Sequence, residues 1–147
     1  MRKIQGGDMS KSIEIRIWGK PIGKKSPRFA RRGNWVAAIN DQQTEEGRFL
    51  LNVREQSHGQ KLSGPLKMQM FFVMPIPKST SKKQKGRMAM SELLPVKKPD
   101  LKNLIAFAED VLSGEIFQDD CQVCIIEAMK RYGSGDPYTW IRIEEMV

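Results

Sequence analysis

The sequence predicts an α/β (α+β) protein, a single domain with a mixed β-sheet and two helices packed on one face. Segments that alternate apolar and polar residues predict strands, and two segments with a 3.6-residue apolar period predict helices. The 147 residues suffice for one buried core and show no internal repeat. We expect residues 1–11 to be a disordered or non-native extension and residues 12–147 to form the domain.

The first half of the chain contains two predicted strands and one helix. Residues 12–18 alternate as a half-buried strand does, and residues 19–33 form a basic loop interrupted by prolines. Residues 34–39 predict a short strand. Asn40-Asp41 then offers an N-cap for a helix that continues to about Gln56.

The second half contains the remaining strands and the more amphipathic helix. Residues 66–74 predict a strand, and residues 75–99 are too basic for the core, so they predict a long polar loop or a short helical insertion. Residues 100–113 carry one apolar stripe and predict a helix. Residues 121–132 and 138–146 predict two closing strands.

The net charge of +8 is concentrated in two basic clusters. The first contains Lys20, Lys24, Lys25, Arg28, Arg31 and Arg32, and the second contains Lys78, Lys82, Lys83, Lys85, Arg87, Lys97 and Lys98. Such clusters indicate a polyanionic partner, although solvated lysine-rich loops that aid solubility would look the same. The chain has no apolar run that could span a bilayer and no signal-peptide pattern, so we expect a cytoplasmic protein without a membrane partner.

Two further features are interpreted as structural. Cys121 and Cys124 have C-x-x-C spacing but no second pair, and we expect two buried or half-buried thiols. Phe29 and Trp35 are the aromatic residues near the first basic cluster, and we interpret them as packing residues and not as a stacking platform for RNA.

Three aspartates form the candidate site for chemistry. Asp100 begins the second helix, and Asp119-Asp120 lies just beyond the end of that helix. Carboxylates of this kind hold Mg²⁺, which stabilises charge and activates water in phosphodiester hydrolysis. Asn103 shares the helical face of Asp100 and could contact phosphate. Each aspartate taken alone is more often a helix cap or a turn residue.

The motifs are specific enough to indicate a family. The run Lys98-Pro99-Asp100-Leu101-x-Asn103-Leu104 is followed by Asp119-Asp120-x-Gln122-Val123 and Lys130-Arg131-Tyr132. Together with Gly19-Lys20-Pro21-x-x-Lys24 and Pro75-x-Pro77-Lys78, this pattern resembles the RusA family of phage and bacterial Holliday-junction resolvases.

The resemblance carries several expectations about activity. It implies a small homodimeric endonuclease that depends on Mg²⁺, or on Mn²⁺ in its place, and that nicks four-way DNA junctions in recombination and repair. The implied metal ligands are Asp100 and Asp120, to which we add Asp119. The expected DNA contacts are Asn103, Lys20, Lys24, Arg28, Lys78, Lys82 and Lys83.

The chain departs from the family pattern at two positions. The family motif is Asp-x-Asp-Asn, but Lys102 stands where the second Asp is expected, and Ala106 stands where a functional lysine is expected. In one account the enzyme is inactive, and Lys102 neutralises Asp100 and Asp120. In the other, Lys102 replaces the missing lysine, because residues 102 and 106 are one helical turn apart, and takes part in catalysis beside Asp100 and Asp120.

The departures favour impaired activity, since exchanging a carboxylate for an ammonium opposes Mg²⁺ binding. The alternative functions are therefore an inactive junction- or DNA-binding protein and an accessory factor that binds RNA or protein.

Overall fold

The computed structural model describes residues 11–26, 28–39 and 42–146. The strands in this part of the chain are β1 (Ser12–Trp18), β2 (Arg28–Arg32), β3 (Trp35–Ile39), β4 (Leu66–Pro75), β5 (Val123–Gly133) and β6 (Tyr138–Glu145). The helices are α1 (Gln43–Ser57), α2 (Lys82–Ala89) and α3 (Leu101–Leu112), and a 3₁₀ turn, Asp120–Gln122, precedes β5. Most of the predicted N-terminal extension and the predicted cap of α1, Asn40-Asp41, lie outside the described residues.

The main sheet has four strands in the order β1-β6-β4-β5. The β1–β6 and β6–β4 pairs are antiparallel, whereas β4 and β5 are parallel. Strand β4 therefore lies between β5 and β6, although the last two strands are separated by only a short loop. This mixed sheet in a single domain confirms the predicted fold class.

The core lies between one face of this sheet and helices α1 and α3. The alternate residues Ile13, Ile15 and Ile17 of β1 are buried, as the alternation predicted. From the helices, Phe49 and Phe107 meet edge to face, with ring centroids 5.5 Å apart. Burial of each such side chain stabilises the fold by about 1.5–3 kcal/mol. The fold thereby fixes α3 against the sheet and directs the start of the helix toward solvent.

Two segments differ in part from the prediction. The basic loop expected over residues 19–33 contains β2, which pairs with β3 in a separate two-stranded sheet. Within residues 75–99, the alternative of a short helical insertion is the one found, as α2. The side chain of Ser81 caps this helix by accepting a hydrogen bond from the backbone N–H of Gln84 at 3.3 Å.

Two interpretations of individual side chains are wrong. Cys121 and Cys124 are both exposed, because Cys121 lies in the 3₁₀ turn and Cys124 lies on β5 at the edge of the sheet. Phe29 and Trp35 are 69% and 63% exposed, so neither packs in a core. No helix in the described part of the chain has the length and apolar character that crossing a membrane requires.

Candidate active site and nucleic-acid interface

An open cleft of about 560 Å³ lies where the loop after β1 meets the start of α3. The loop contributes Lys20, Lys24 and Lys25 to its wall, and α3 contributes Asp100 and Asn103. Residues separated by about 80 positions in the sequence are thus brought together. The cleft combines two of the predicted DNA-contacting lysines with one predicted metal ligand.

The loop is held in place by hydrogen bonds between its backbone and both the Gln42 side chain and α3. The buried amide of Gln42 donates to the carbonyl oxygen of Gly23 at 2.8 Å and accepts from the backbone N–H of Lys25 at 2.8 Å. The backbone N–H of Lys24 donates to the carbonyl oxygen of Asn103 at 2.9 Å. None of these contacts uses a lysine side chain of the loop.

Gly23 is required where the loop approaches the segment before α3. A Cβ atom at this position would lie 2.7 Å from the Cβ of Pro99. Carbon atoms do not approach so closely, and both are attached directly to backbone. Only a glycine at this position therefore allows the loop to lie so close to Pro99 and form the wall of the cleft.

Asp100 caps α3 and also lines the cleft. Its Oδ1 accepts a hydrogen bond from the backbone N–H of Asn103 at 2.9 Å, as an N-cap residue does. The cap orients the carboxylate and leaves Oδ2 on a side chain that remains exposed. The structural role considered for Asp100 is thus present, and the same side chain is still accessible from the cleft.

The acidic turn before β5 is built around Gln122. Its side-chain oxygen accepts from the backbone N–H groups of Gln118 and Asp119 at 3.0 Å, and its amide donates to the carbonyl oxygen of Gly64 at 3.0 Å. The backbone N–H of Cys121, and then its thiol, hold the pKa of Asp119 below its usual value. In return, the hydrogen bond to Asp119 raises the pKa of the Cys121 thiol.

Glu109 is a carboxylate of this region that the sequence prediction missed. Partial burial raises its pKa, and the nearby charges of Asp120 and then Asp110 raise it further. Asp110 itself forms an ion pair with Lys24, which ties the basic loop to the same turn of α3. Its spacing in the sequence could have identified Glu109 as a candidate, because residues 102, 106 and 109 lie on one face of a helix.

The predicted metal ligands Asp100, Asp119 and Asp120 do not form a single group. Among the described residues, Asp119, Asp120 and Cys121 form a group whose potential ligand atoms all lie within 4.8 Å of one another. Asp100 does not belong to this group; it precedes the first turn of α3, whereas Asp120 is near Glu109 in the third turn. The helical rise separates residues 100 and 109 by roughly 13 Å.

Comparison with known proteins identifies the family. The family model for RusA, "Endodeoxyribonuclease RusA", matches residues 19–144. The chain belongs to the RusA endodeoxyribonuclease family. It is also similar to "Uncharacterized protein YqaN" of Bacillus subtilis (strain 168), with 28% identity over 138 residues that cover 91% of this chain and 96% of that protein.

The two residues at which this RusA-family chain departs from the expected motif differ in their exposure. Lys102 is exposed and forms no ion pair with a carboxylate of the described residues. Ala106 is half-buried one turn further along α3. Lys102 therefore makes no direct ion pair that would neutralise Asp100 or Asp120 in this structure.

From the second basic cluster of the RusA-family chain, Lys98 lines the cleft that holds Asp100, whereas the predicted DNA contacts Lys78, Lys82 and Lys83 do not. Lys78 and Lys85 border a smaller pocket of about 260 Å³ beside Gly133, at the end of β5. Lys82 and Lys83 are exposed in the first turn of α2. Arg28 begins β2, and its side chain lies outside the described residues.

Proposed function

We propose that this protein is a divalent-metal-dependent endonuclease of branched DNA that resolves four-way junctions in recombination and repair. The observation that carries the proposal is the cleft in which Lys20, Lys24 and Lys25 face Asp100 and Asn103. Phosphate needs cationic contacts for binding, and its hydrolysis needs carboxylates beside the bound phosphate. Family membership supports the nuclease activity, and the junction substrate is the finer part of the proposal.

The basic residues position the DNA backbone in this proposal. Lys20 and Lys25 contact phosphates at the cleft wall, while Lys24 is shared with Asp110 and holds the loop against α3. The amide of Asn103 donates to a phosphate oxygen. Lys78, Lys82 and Lys83 contact a second stretch of backbone, and affinity falls with salt with a log–log slope of about −0.9 per phosphate neutralised.

The residues present fit a hard divalent cation at the acidic turn. Asp119 and Asp120 supply carboxylate oxygens close to one another, and Mg²⁺ needs few protein ligands because it keeps several waters. A bound Mg²⁺ or Mn²⁺ would stabilise charge on the phosphate oxygens and lower the pKa of a water. Asp119 and Asp120 would hold it, and Asp100 would orient the DNA or complete the ligand set.

The motif departures leave two accounts of activity. If Lys102 replaces the family lysine, its long exposed side chain contacts the phosphate that residue 106 would otherwise reach. If the lost carboxylate is decisive, the protein binds junctions and does not cut them. Asp100 is not part of the acidic group formed by Asp119, Asp120 and Cys121, and this supports the second candidate function.

A homodimer in the cytoplasm completes the proposal. A four-way junction has two-fold symmetry, so a C2 dimer would present two equivalent sites to it. The edge strand β5 offers a suitable surface, because Ile125 and Ile126 are each 39% exposed on it. Exposed apolar edge strands are ready to pair with another chain.

Cleavage of a synthetic four-way junction in Mg²⁺, beside a gel-shift assay in EDTA, tests the proposal. Paired symmetric nicks would establish a working resolvase in which Lys102 is tolerated. Binding without nicks would establish the inactive junction-binding protein. A protein that neither binds nor cuts the junction would overturn both functions.

A further inference from the structure

A cluster of one cation and two aromatic rings stands at the end of β1. The rings of Trp18 and Tyr138 meet edge to face, with centroids 5.4 Å apart. The guanidinium of Arg16 lies over both rings, 4.6 Å from the centroid of Tyr138 and 5.5 Å from that of Trp18. The three residues share the face of the sheet opposite the core, since Trp18 pairs with Tyr138 across β1 and β6.

Trp18 is the accessible member of this cluster. Its side chain is 62% exposed, whereas the neighbouring Tyr138 is half-buried. Its contacts with Arg16 and Tyr138 favour the observed orientation of the indole, which lowers the conformational entropy lost when a flat group stacks on the exposed surface. The cluster is thus a preorganised stacking surface.

The cluster adjoins the cleft that holds Asp100. Trp18 and Gly19 line a pocket of about 250 Å³, and Lys20, Ile22 and Glu45 line both this pocket and the larger cleft. Gly19 has a φ of 115°, which turns the chain from β1 directly into the basic loop. DNA bound in the cleft reaches Trp18 if it continues past Lys20 and around the end of β1.

We propose that Trp18 stacks on an unpaired DNA base beside the cleft. The inference rests on the proposed function, because DNA in the cleft supplies the base. Aromatic side chains stack on any base, and neighbouring cations hold the backbone. Arg16 lies over the indole and Lys20 follows Trp18 by two residues, and this positive charge fits DNA as the occupant.

The proposed contact gives the enzyme a way to distinguish branched from linear DNA. Fully paired duplex keeps its bases stacked inside the helix and offers none to Trp18. Bases at a branch point or in a single-stranded gap can unstack at low cost. Trp18 would thus contribute to affinity only for DNA with accessible bases, while Lys20 and Lys25 would contribute to affinity for every form.

The test compares Trp18→Ala, Trp18→Phe and the control Trp35→Ala by fluorescence anisotropy in EDTA. Trp35 is a matched control because it is 63% exposed but lies on the separate β2–β3 sheet. For a four-way junction and a gapped duplex, Trp18→Ala should weaken binding about tenfold, and Trp18→Phe should retain most of the affinity. Linear duplex should bind all variants equally.

A second readout reports stacking directly. A 2-aminopurine in the gap should lose fluorescence on binding the wild-type protein and the Trp35→Ala variant, but not Trp18→Ala. Equal loss of affinity for linear duplex would overturn the inference, as would unchanged binding of the gapped DNA. A lower mass for Trp18→Ala in sedimentation would also overturn it, because a second copy would then be the occupant.

The two proposals fail differently. Wild-type protein that binds and cuts junctions, together with a Trp18→Ala variant that does the same equally well, would overturn the stacking inference alone. Wild-type protein that binds none of the three DNAs would overturn both the inference and the proposed function.

Discussion

The side chain of Lys130 forms a hydrogen bond with the backbone of Pro99, the residue before Asp100. Its Nζ donates to the carbonyl oxygen of Pro99 at 2.9 Å and to that of Lys97 at 3.0 Å. A residue in the middle of β5 therefore holds the segment that leads into α3. This contact gives a physical role to one residue of the Lys130-Arg131-Tyr132 motif.

We expect Lys130→Met to lower the free energy of unfolding by about 1.5 kcal/mol, because two hydrogen bonds from a charged donor are lost. It should also weaken junction binding, since the cleft wall at Asp100 loses its support. Urea denaturation and gel-shift assays measure the two effects. Lys83→Met on the exposed start of α2 removes the same charge and should leave stability unchanged; an equal loss there would contradict the bracing role.

Gly23→Ala tests the close approach of the basic loop to Pro99. The added Cβ would lie 2.7 Å from the Cβ of Pro99, and overpacking of this kind costs about 1–3 kcal/mol. We expect lower stability and lower affinity for all DNA forms. Gly47→Ala is the control, because its Cβ would meet nothing within 4 Å on α1 and should stabilise by about 0.5–1 kcal/mol.

Glu109→Gln tests the cost of ionising Glu109 in the third turn of α3, where burial and neighbouring carboxylates oppose its charge. Burial, Asp120 and Asp110 raise the pKa of Glu109, so the folded state binds this proton more tightly than the unfolded state. The stability contributed by this group is present below the unfolded pKa of about 4.3 and is lost as pH rises through the folded pKa. The variant should therefore be more stable than wild type at pH 7 and indistinguishable in acid.

Thermal melts from acidic to neutral pH measure the effect of Glu109. Glu55→Gln on the exposed face of α1 removes the same charge and serves as the control. A stability difference for Glu109→Gln that stayed constant with pH would show that ionisation of Glu109 is not its cause.

Asp119→Asn should increase the reactivity of Cys121. The hydrogen bond and negative charge of Asp119 raise the pKa of the Cys121 thiol, and the thiolate is the reactive form. Alkylation near pH 8, followed by mass spectrometry, should be faster at Cys121 in the variant. Cys124 is an internal control, since its thiol contacts the carbonyl oxygen of Gln122 instead. A parallel rise at both cysteines would indicate unfolding of the turn.

Restoring the family motif tests the account in which Lys102 disables the enzyme. The double variant Lys102→Asp with Ala106→Lys changes the charge at position 102 by two units and should raise Mg²⁺-dependent cleavage at least about tenfold. Junction cleavage rates in Mg²⁺ measure this directly. Unchanged cleavage, with junction binding retained in EDTA, would count against the account.

Among the acidic residues, local contacts could be predicted from the sequence, whereas a contact between distant segments could not. The spacing of Asp100 and Asn103 predicted a cap and a shared helical face, and the hydrogen bond between them confirms the local geometry. The proximity of Glu109 to Asp120 was missed, because it depends on where the turn before β5 returns to α3. No local pattern encodes that distance.

The sequence by itself determined the family and most of the elements, though not β2, because backbone geometry imposes periods of 2 and 3.6 residues and motifs are local. Only the tertiary structure decided that β4 lies between β5 and β6, that the basic loop meets α3 in one cleft, and that Cys121 and Cys124 are exposed. These features arise from contacts between segments that are distant in sequence. Such contacts depend on how the whole core packs, and no local pattern encodes them.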